Sequence, residues 1–147
     1  MTTVKGEYIE SLWERAVHTL EHAKLALSFS SDTAANRSYY AAFYAVSAVF
    51  ALEGKAFRRH SALEAAVHRD LVRSGRWPAR LGEGYSQLLK TRSVSDYGPG
   101  QNVSREDAER AITAAAEILR AVAEAHPEHF TGPEGERPDA DCEQGDR

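Results

Sequence analysis

The sequence predicts an all-α protein, an antiparallel up-and-down bundle of four to five helices. Two observations predict this class. Apolar residues recur at three- and four-residue steps over most of the first 125 positions, and helix-capping or helix-breaking residues divide this pattern into segments. No segment alternates apolar and polar residues over the length of a strand. The connections between segments are short, which favours antiparallel neighbours.

The first two predicted helices are long and joined by few residues. In residues 7–29 the apolar side chains form one amphipathic stripe. The second helix begins near Ser31 or Asp32, either of which can cap it, and ends at Gly54. Its apolar residues lie in two adjacent stripes, formed by Tyr39, Phe43, Val46 and Phe50 and by Tyr40, Tyr44 and Ala48. Because they cover most of the circumference, we expect this helix at the centre of the bundle.

Three further helices follow. A shorter one is predicted over residues 61–72, with His68 at the surface. The next begins at Pro78 or at Glu83 and continues to about residue 92, before a Gly-Pro-Gly stretch. The last begins after Ser104, which is followed three residues later by an acidic residue, much as in a capping box.

Charge and composition divide the chain into residues 1–130, a helical domain, and residues 131–147, an acidic tail. From residue 131 onward six Asp and Glu face two Arg, so the tail carries the whole formal net charge of -4. It holds no aromatic and no β-branched residue after Thr131, and we therefore expect it to be disordered.

The middle of the chain is basic. Residues 55–92 contain nine Lys and Arg but only three Asp and Glu. Such a segment can bind an anion such as RNA, a nucleotide or an acidic protein. A solvated basic face is the alternative.

Several classes of protein are excluded or disfavoured. The sequence has no apolar run long enough for a membrane span and no secretory signal at its start, so we expect a cytoplasmic protein without membrane partners. A single cysteine excludes a disulfide scaffold. His18 and His22 have a spacing that can hold a metal, but no third ligand is evident. No phosphate-binding glycine loop occurs, and we predict no metal and no cofactor.

The segment around Arg92 combines residues suited to phosphate chemistry. A guanidinium offers a permanent charge and a rigid set of donors for a phosphodiester oxygen. RNA cleavage by 2′-hydroxyl attack also needs a group that moves a proton. Asp96 and Tyr97 stand where such a group would follow, and His60, between basic residues and a helix start, is a second candidate. Alternatively, Arg92 stabilises the helix end and pairs with Asp96.

Two stretches carry a family resemblance, "NRSYYAAFYAVSAVFALEGKAFRRHSAL" and "LLKTRSVSDYGPGQNVSREDAERAITAAAEIL". Together they resemble the HEPN domain family, and more narrowly its small single-domain prokaryotic branch, over roughly residues 7–125. The positions that match the family pattern are Arg37, Tyr39, Tyr40, Ala41 and Phe43, then Arg58, His60 and Ser61, then Arg92, Asp96 and Tyr97.

The resemblance implies a helical bundle that forms a two-fold homodimer. Many HEPN proteins are metal-independent endoribonucleases with an arginine followed four to six residues later by a histidine. Many others act with a minimal nucleotidyltransferase as a toxin–antitoxin pair. This chain departs from the nuclease motif, because no histidine follows Arg92 in that window. The one Arg-to-His spacing that fits, from Arg120 to His126, lies at the wrong place for the family.

We therefore expect a HEPN module that binds RNA or nucleotide beside a nucleotidyltransferase partner in a toxin–antitoxin or defence system. The predicted binding residues are Arg37, Tyr40, Arg58 and Arg59. The alternative is an endoribonuclease toxin in which the candidate catalytic residues are Arg92, Asp96, Tyr97 and His60. A purely structural use of these residues is a third possibility.

Overall fold

The computed structural model describes residues 4–97, 99–100 and 102–131. Within these residues the chain forms five α-helices and no strand. The helices are α1 (Val4–Ala26), α2 (Ser31–Leu52), α3 (His60–Ala66), α4 (Ala79–Ser95) and α5 (Arg105–Ala125). A π-helical segment, Val67–Val72, continues α3. The predicted all-α bundle is confirmed, whereas the predicted tail lies outside the described residues beyond Thr131.

Helix α2 occupies the centre of the bundle, as its apolar circumference predicts. It packs against α1, α4 and α5. Six of its alanines are fully buried and let the neighbouring helices approach closely: Ala34, Ala35, Ala41, Ala42, Ala45 and Ala48. Larger side chains on the same helix, Tyr39, Val46 and Phe50, are also fully buried. The burial of this helix on several sides fixes the positions of its partly exposed residues.

The first turn of α2 is capped one residue earlier than expected. Ser30 has extended backbone angles, and its hydroxyl accepts a hydrogen bond of 3.0 Å from the backbone N–H of Thr33. The expectation that Ser31 or Asp32 caps this helix is therefore wrong. Both residues lie inside the first helical turn, so neither occupies the N-cap position.

Asp32 instead joins the start of α2 to the loop before α5. Its carboxylate accepts hydrogen bonds from the backbone N–H groups of Asn102 and Val103, the latter at 2.7 Å. Val103 is buried in a small apolar cluster with Ala34 and Ala108. These contacts bring the α4–α5 connection onto the same end of the bundle as the start of α2.

The boundaries of the last two helices agree with the sequence. Helix α4 begins directly after Pro78 and not at Glu83, and it continues to Ser95, beyond Arg92. The hydroxyl of Ser104 accepts from the N–H of Asp107 at 3.0 Å and caps α5. No helix among the described residues is both long and apolar enough to span a bilayer.

Candidate functional site

Aromatic rings lie side by side along the partly exposed face of α2. We call Tyr40, Phe43 and Tyr44 the aromatic strip; all three are half-buried. Their ring centroids are 5.9 Å apart between Tyr40 and Phe43 and 5.6 Å apart between Phe43 and Tyr44. The imidazole of His60, at the start of α3, lies 5.2 Å from the ring of Phe43. Ring contacts therefore continue from the aromatic strip on α2 to His60 on α3.

Three arginines from three different helices lie on these rings. The guanidinium carbon of Arg92 is 5.6 Å from the ring centroid of Tyr40, and that of Arg37 is 5.2 Å from the same centroid. Arg15, on α1, lies 5.4 Å from the ring of Tyr44. A cation at this distance from an aromatic face is attracted by the ring quadrupole. The rings thus hold the guanidinium planes in place without neutralising their charges.

Arg92 is half-buried, with 24% of its side chain exposed, and among the described residues its one ion-pair partner is Asp96, the residue that caps the C-terminal end of α4. Its Nε lies 3.2 Å from a carboxylate oxygen of Asp96. The N–H is not aligned for a hydrogen bond, and this buried nitrogen has no such partner in the described part of the chain. The ion pair is therefore a charge interaction only. The terminal Nη donors form no hydrogen bond to any described residue, so these donors, and not the buried Nε, can bind an acceptor from outside.

Arg37 and Arg92 are linked through Asn36. The Nε and Nη2 atoms of Arg37 donate to the side-chain oxygen of Asn36 at 3.1 and 2.9 Å. The amide nitrogen of Asn36 in turn donates to Asp96 at 3.5 Å. A chain of polar contacts therefore runs from α2 to the end of α4. These contacts connect the two arginines that lie near the ring of Tyr40.

His60 contacts Tyr39, the buried residue that precedes Tyr40 on α2. Its Nδ1 lies 2.6 Å from the hydroxyl of Tyr39. Burial raises the pKa of Tyr39 to about 12, so this hydroxyl stays protonated. Burial, and then the nearby charge of Arg92, lower the pKa of His60, so the imidazole is neutral at pH 7. We assign Tyr39 as the donor, which leaves the Nε2–H of His60 as a donor of its own.

Tyr39 is supported in turn from α4. The hydroxyl of Tyr85 donates to that of Tyr39 at 3.5 Å, and burial also raises the pKa of Tyr85. Arg92 lies 5.9 Å from the ring of Tyr39. Tyr39 thus contacts both His60 and Arg92, the two residues that the sequence analysis selected for phosphate chemistry.

The other predicted site residues do not reach the strip. Tyr97 is 71% exposed, and its backbone carbonyl accepts a hydrogen bond from the side chain of Asn102. Arg58 and Arg59 are exposed in the connection before α3 and form no ion pair with any described residue. Their roles stay predictions. The structure therefore groups Arg37, Tyr40, His60, Arg92 and Asp96 and leaves these three apart.

Sequence reasoning missed Arg15, Asn36 and Tyr44. Arg15 belongs to α1, and its position over Tyr44 depends on how α1 rotates against α2. A basic residue on the polar face of an amphipathic helix has no signal of its own in the sequence. Asn36 was visible only as a neighbour of Arg37, within the motif.

A second polar cluster lies between α4 and the segment before it. The Nε2–H of His68 donates to the hydroxyl of Ser86 at 2.7 Å, and this hydroxyl donates to Glu64 at 2.6 Å. His68 is half-buried, so the expectation that it lies at the surface is wrong. Its ring packs where Gly82 has no side chain, since a Cβ there would lie 3.1 Å from the imidazole. These contacts fasten α4 to the π-helical segment.

The described residues bring no three or more His, Cys, Asp or Glu side chains together as a metal site. His18 and His22 are exposed on α1.

Fold and site together define a class: a small helical-bundle protein that presents arginines on an aromatic strip. The model of the HEPN domain matches residues 9–126, and the chain belongs to the HEPN family. The resemblance read from the motifs is thereby confirmed.

Two known proteins are similar to this chain. It is 35% identical over 119 residues to a UPF0332 protein of Thermotoga maritima, a match that covers 80% of this chain and 90% of that protein. It also resembles the crystal structure of TT1696 from Thermus thermophilus, with a TM-score of 0.66 at 26% identity. That match covers 79% of this chain and 96% of the other.

Proposed function

We propose that the protein is a HEPN module that binds RNA or a nucleotide at Arg92 and the aromatic strip. The observation that carries this proposal is the state of Arg92. Its guanidinium is half-buried and lies against two tyrosine rings, and its terminal Nη donors form no hydrogen bond to any described residue. A phosphate offers the paired oxygens that such a planar group binds.

The surrounding groups support the same ligand. The half-buried ring of Phe43 carries no guanidinium of the described residues, so a base can stack on its exposed part, and base–aromatic stacking tolerates any sequence. The neutral imidazole of His60 provides one more donor beside the phosphate position. Asp96 is the one carboxylate paired with Arg92 among the described residues, and a bound phosphate would replace it as the partner.

We further propose that the protein acts as a cytoplasmic homodimer beside a nucleotidyltransferase, in a toxin–antitoxin or defence system. The family resemblance supports this setting. Tyr97 is the residue that such a partner would modify, because its ring is 71% exposed and it directly follows the helix that carries Arg92. Incubation with a candidate nucleotidyltransferase and labelled ATP tests this: label on the wild type and none on Tyr97→Phe is expected.

Fluorescence anisotropy with a short, unstructured, labelled RNA tests the binding proposal. We expect Arg92→Ala to weaken binding by about tenfold or more, since it removes a charged hydrogen-bonding partner. Arg92→Lys keeps the charge without the planar donors and should recover only part of the affinity. Arg120→Ala is the matched control, because Arg120 is an exposed arginine on α5 with no ion pair among the described residues. Equal affinity of Arg92→Ala and wild type would contradict the proposal.

A metal-independent endoribonuclease is the second candidate, and one observation favours it. His60 and Arg92 contact the same buried tyrosine, so an imidazole and a cation lie at one site. His60 would accept the proton of the 2′-hydroxyl while that oxygen attacks phosphorus, and the 5′-oxygen would leave with a proton from water, giving a 2′,3′-cyclic phosphate. This step uses the other tautomer of His60 from the one assigned above, with Nε2 unprotonated and Nδ1–H donating to Tyr39.

Incubation of labelled RNA in EDTA separates the two functions. Cleavage that His60→Asn abolishes, while RNA binding is retained, would establish the ribonuclease. Binding without cleavage by the wild type would leave the binding module.

A further inference from the structure

Two connections of the chain meet at the end of the bundle where α2 ends. The Nη2 atom of Arg76 lies 2.8 Å from a carboxylate oxygen of Glu53, and the Nζ atom of Lys55 lies 3.5 Å from Asp70. These ion pairs join the connection after α2 to the segment that leads into α4. We call residues 53–80 the basic segment, because they hold seven Lys and Arg but three Asp and Glu, a formal net charge of +4.

The carboxylates of the basic segment are already shared among its cations. Asp70 pairs with both Lys55 and Arg69, at 3.5 and 2.9 Å. Glu53 pairs with Arg76 and lies 4.0 Å from Lys55. Four further arginines are exposed and form no ion pair with any described residue: Arg58, Arg59, Arg73 and Arg80.

The turn after α5 lies at the same end of the bundle. The backbone N–H of Phe130 donates to the carbonyl of His126 at 3.0 Å. The ring of Phe130 is buried against that of Trp13, with centroids 4.8 Å apart, which holds this turn on α1. Burial, and then the charge of Arg76, lower the pKa of His126, so Arg76 lies close to the turn. The chain therefore reaches Thr131, its last described residue, beside the basic segment.

The acidic tail has the charge and the length to bind there. Its six Asp and Glu and two Arg give a net charge of -4, equal in size and opposite in sign to that of the basic segment. The sixteen residues after Thr131 can span up to about 50 Å, whereas α2, with 22 residues, is about 33 Å long. Attachment to the bundle raises the effective concentration of the tail to about the millimolar range, so a weak charge interaction suffices.

We propose that the acidic tail binds the basic segment of its own chain, with its carboxylates on the exposed arginines, and so keeps acidic segments of other proteins off this surface. The contact does not depend on the proposed function, because it involves neither Arg92 nor the aromatic strip.

Carbodiimide crosslinking of the full chain tests the contact, since this reagent joins a carboxylate to a lysine amine that touches it. We expect amide bonds between tail carboxylates and Lys55, identified by mass spectrometry. Arg73→Gln/Arg80→Gln removes two proposed partners without moving the attachment of the tail, and should lower these crosslinks about fivefold. Arg105→Gln/Arg110→Gln removes the same charge near the start of α5, at the opposite end, and should leave them unchanged.

Three outcomes of this experiment would overturn the proposal. One is that the tail forms no crosslink to Lys55. Another is that the crosslinks are equally abundant in the wild type and in Arg73→Gln/Arg80→Gln, which would mean nearness without binding. The third is that crosslinks join labelled to unlabelled chains in an isotope mixture, which would assign the contact to a second copy.

Fluorescence anisotropy with a labelled oligoglutamate tests whether the tail keeps acidic segments away. A full chain with four tail carboxylates changed to amides should bind this probe about tenfold more tightly than the wild type, because its tail no longer competes. Adding Arg73→Gln/Arg80→Gln to that chain should abolish the gain. Equal affinity of the wild type and the amide variant would contradict the proposal. The four substitutions are Glu134→Gln, Glu136→Gln, Asp139→Asn and Asp141→Asn.

Discussion

At the scale of single residues, the burial of His60 and its closeness to Arg92 determine how much charge the site carries. Tyr39 is fully buried and donates to an imidazole whose pKa is lowered, so the pair is neutral where Arg92 is positive. The sequence identified His60 and Arg92 through their motifs. Nothing in it indicated that a tyrosine joins them, because that contact depends on the packing of α2, α3 and α4.

The lowered pKa of His60 predicts how stability depends on pH. Burial and Arg92 disfavour its charged form in the folded protein, so the unfolded chain binds the proton more readily. The free energy of unfolding should therefore fall as pH drops through the ordinary histidine pKa of about 6.5 towards the lower folded value. His60→Gln should make urea-unfolding free energies less dependent on pH in this window.

His126 provides a control for that measurement. Its pKa is also lowered, through burial and then the charge of Arg76, so it contributes to the same fall in stability. His126→Gln should remove the contribution of His126 to the pH dependence of the unfolding free energy and leave the contribution of His60. A slope unchanged by His60→Gln would contradict the environment described for this residue.

Loss of the hydroxyl group should affect stability to different extents at the two adjacent tyrosines of α2. Tyr39→Phe leaves His60 without its hydrogen-bond donor and should cost about 1 kcal/mol of unfolding free energy. The hydroxyl of Tyr40 has no hydrogen-bond partner among the described residues, so Tyr40→Phe should change stability by less than about 0.5 kcal/mol. Denaturant titrations of both variants check this. Equal losses would show that the hydrogen bond assigned to Tyr39 contributes nothing.

At the scale of helices, the sequence predicted the elements better than their contacts. The three- and four-residue spacing of apolar residues, with the capping residue Ser104, located the helices. The apolar residues around most of α2 predicted its central position. The cap at Ser30 was missed because three capping residues occur in succession there, and only the tertiary contact of Asp32 selects among them. The π-helical segment was missed because its apolar residues fit an ordinary helix equally well.

Two glycines of α4 predict opposite effects of an added methyl group. A Cβ at Gly82 would lie 2.7 Å from Val72 and close to the ring of His68, whereas a Cβ at Gly84 would meet Ala114 at 3.7 Å. Alanine gains about 1 kcal/mol over glycine inside a helix, but overpacking costs about 1–3 kcal/mol. Gly82→Ala should therefore lower the melting temperature, and Gly84→Ala should raise it or leave it unchanged. A higher melting temperature for Gly82→Ala would contradict the packing described there.

At the scale of the whole molecule, the site exists only because several helices meet. Arg15 comes from α1, Arg37 from α2, His60 from α3 and Arg92 from α4. The family motifs identify the last three but not the first, since motifs record the neighbours along the chain. Closeness to a motif in the sequence also does not guarantee a place in the site. In the structure the exposed residues Arg58, Arg59 and Tyr97 lie away from the aromatic strip.

The central claim is that the guanidinium of Arg92 binds a phosphate of RNA. The most direct measurement is NMR of the arginine side-chain Nε–Hε groups during titration with single-stranded oligoadenylate, with signals assigned from Arg92→Lys and Arg120→Ala spectra. We predict that the Arg92 signal shifts as RNA is added while the Arg120 signal does not. An Arg92 signal that stays in place at saturating RNA would contradict the account.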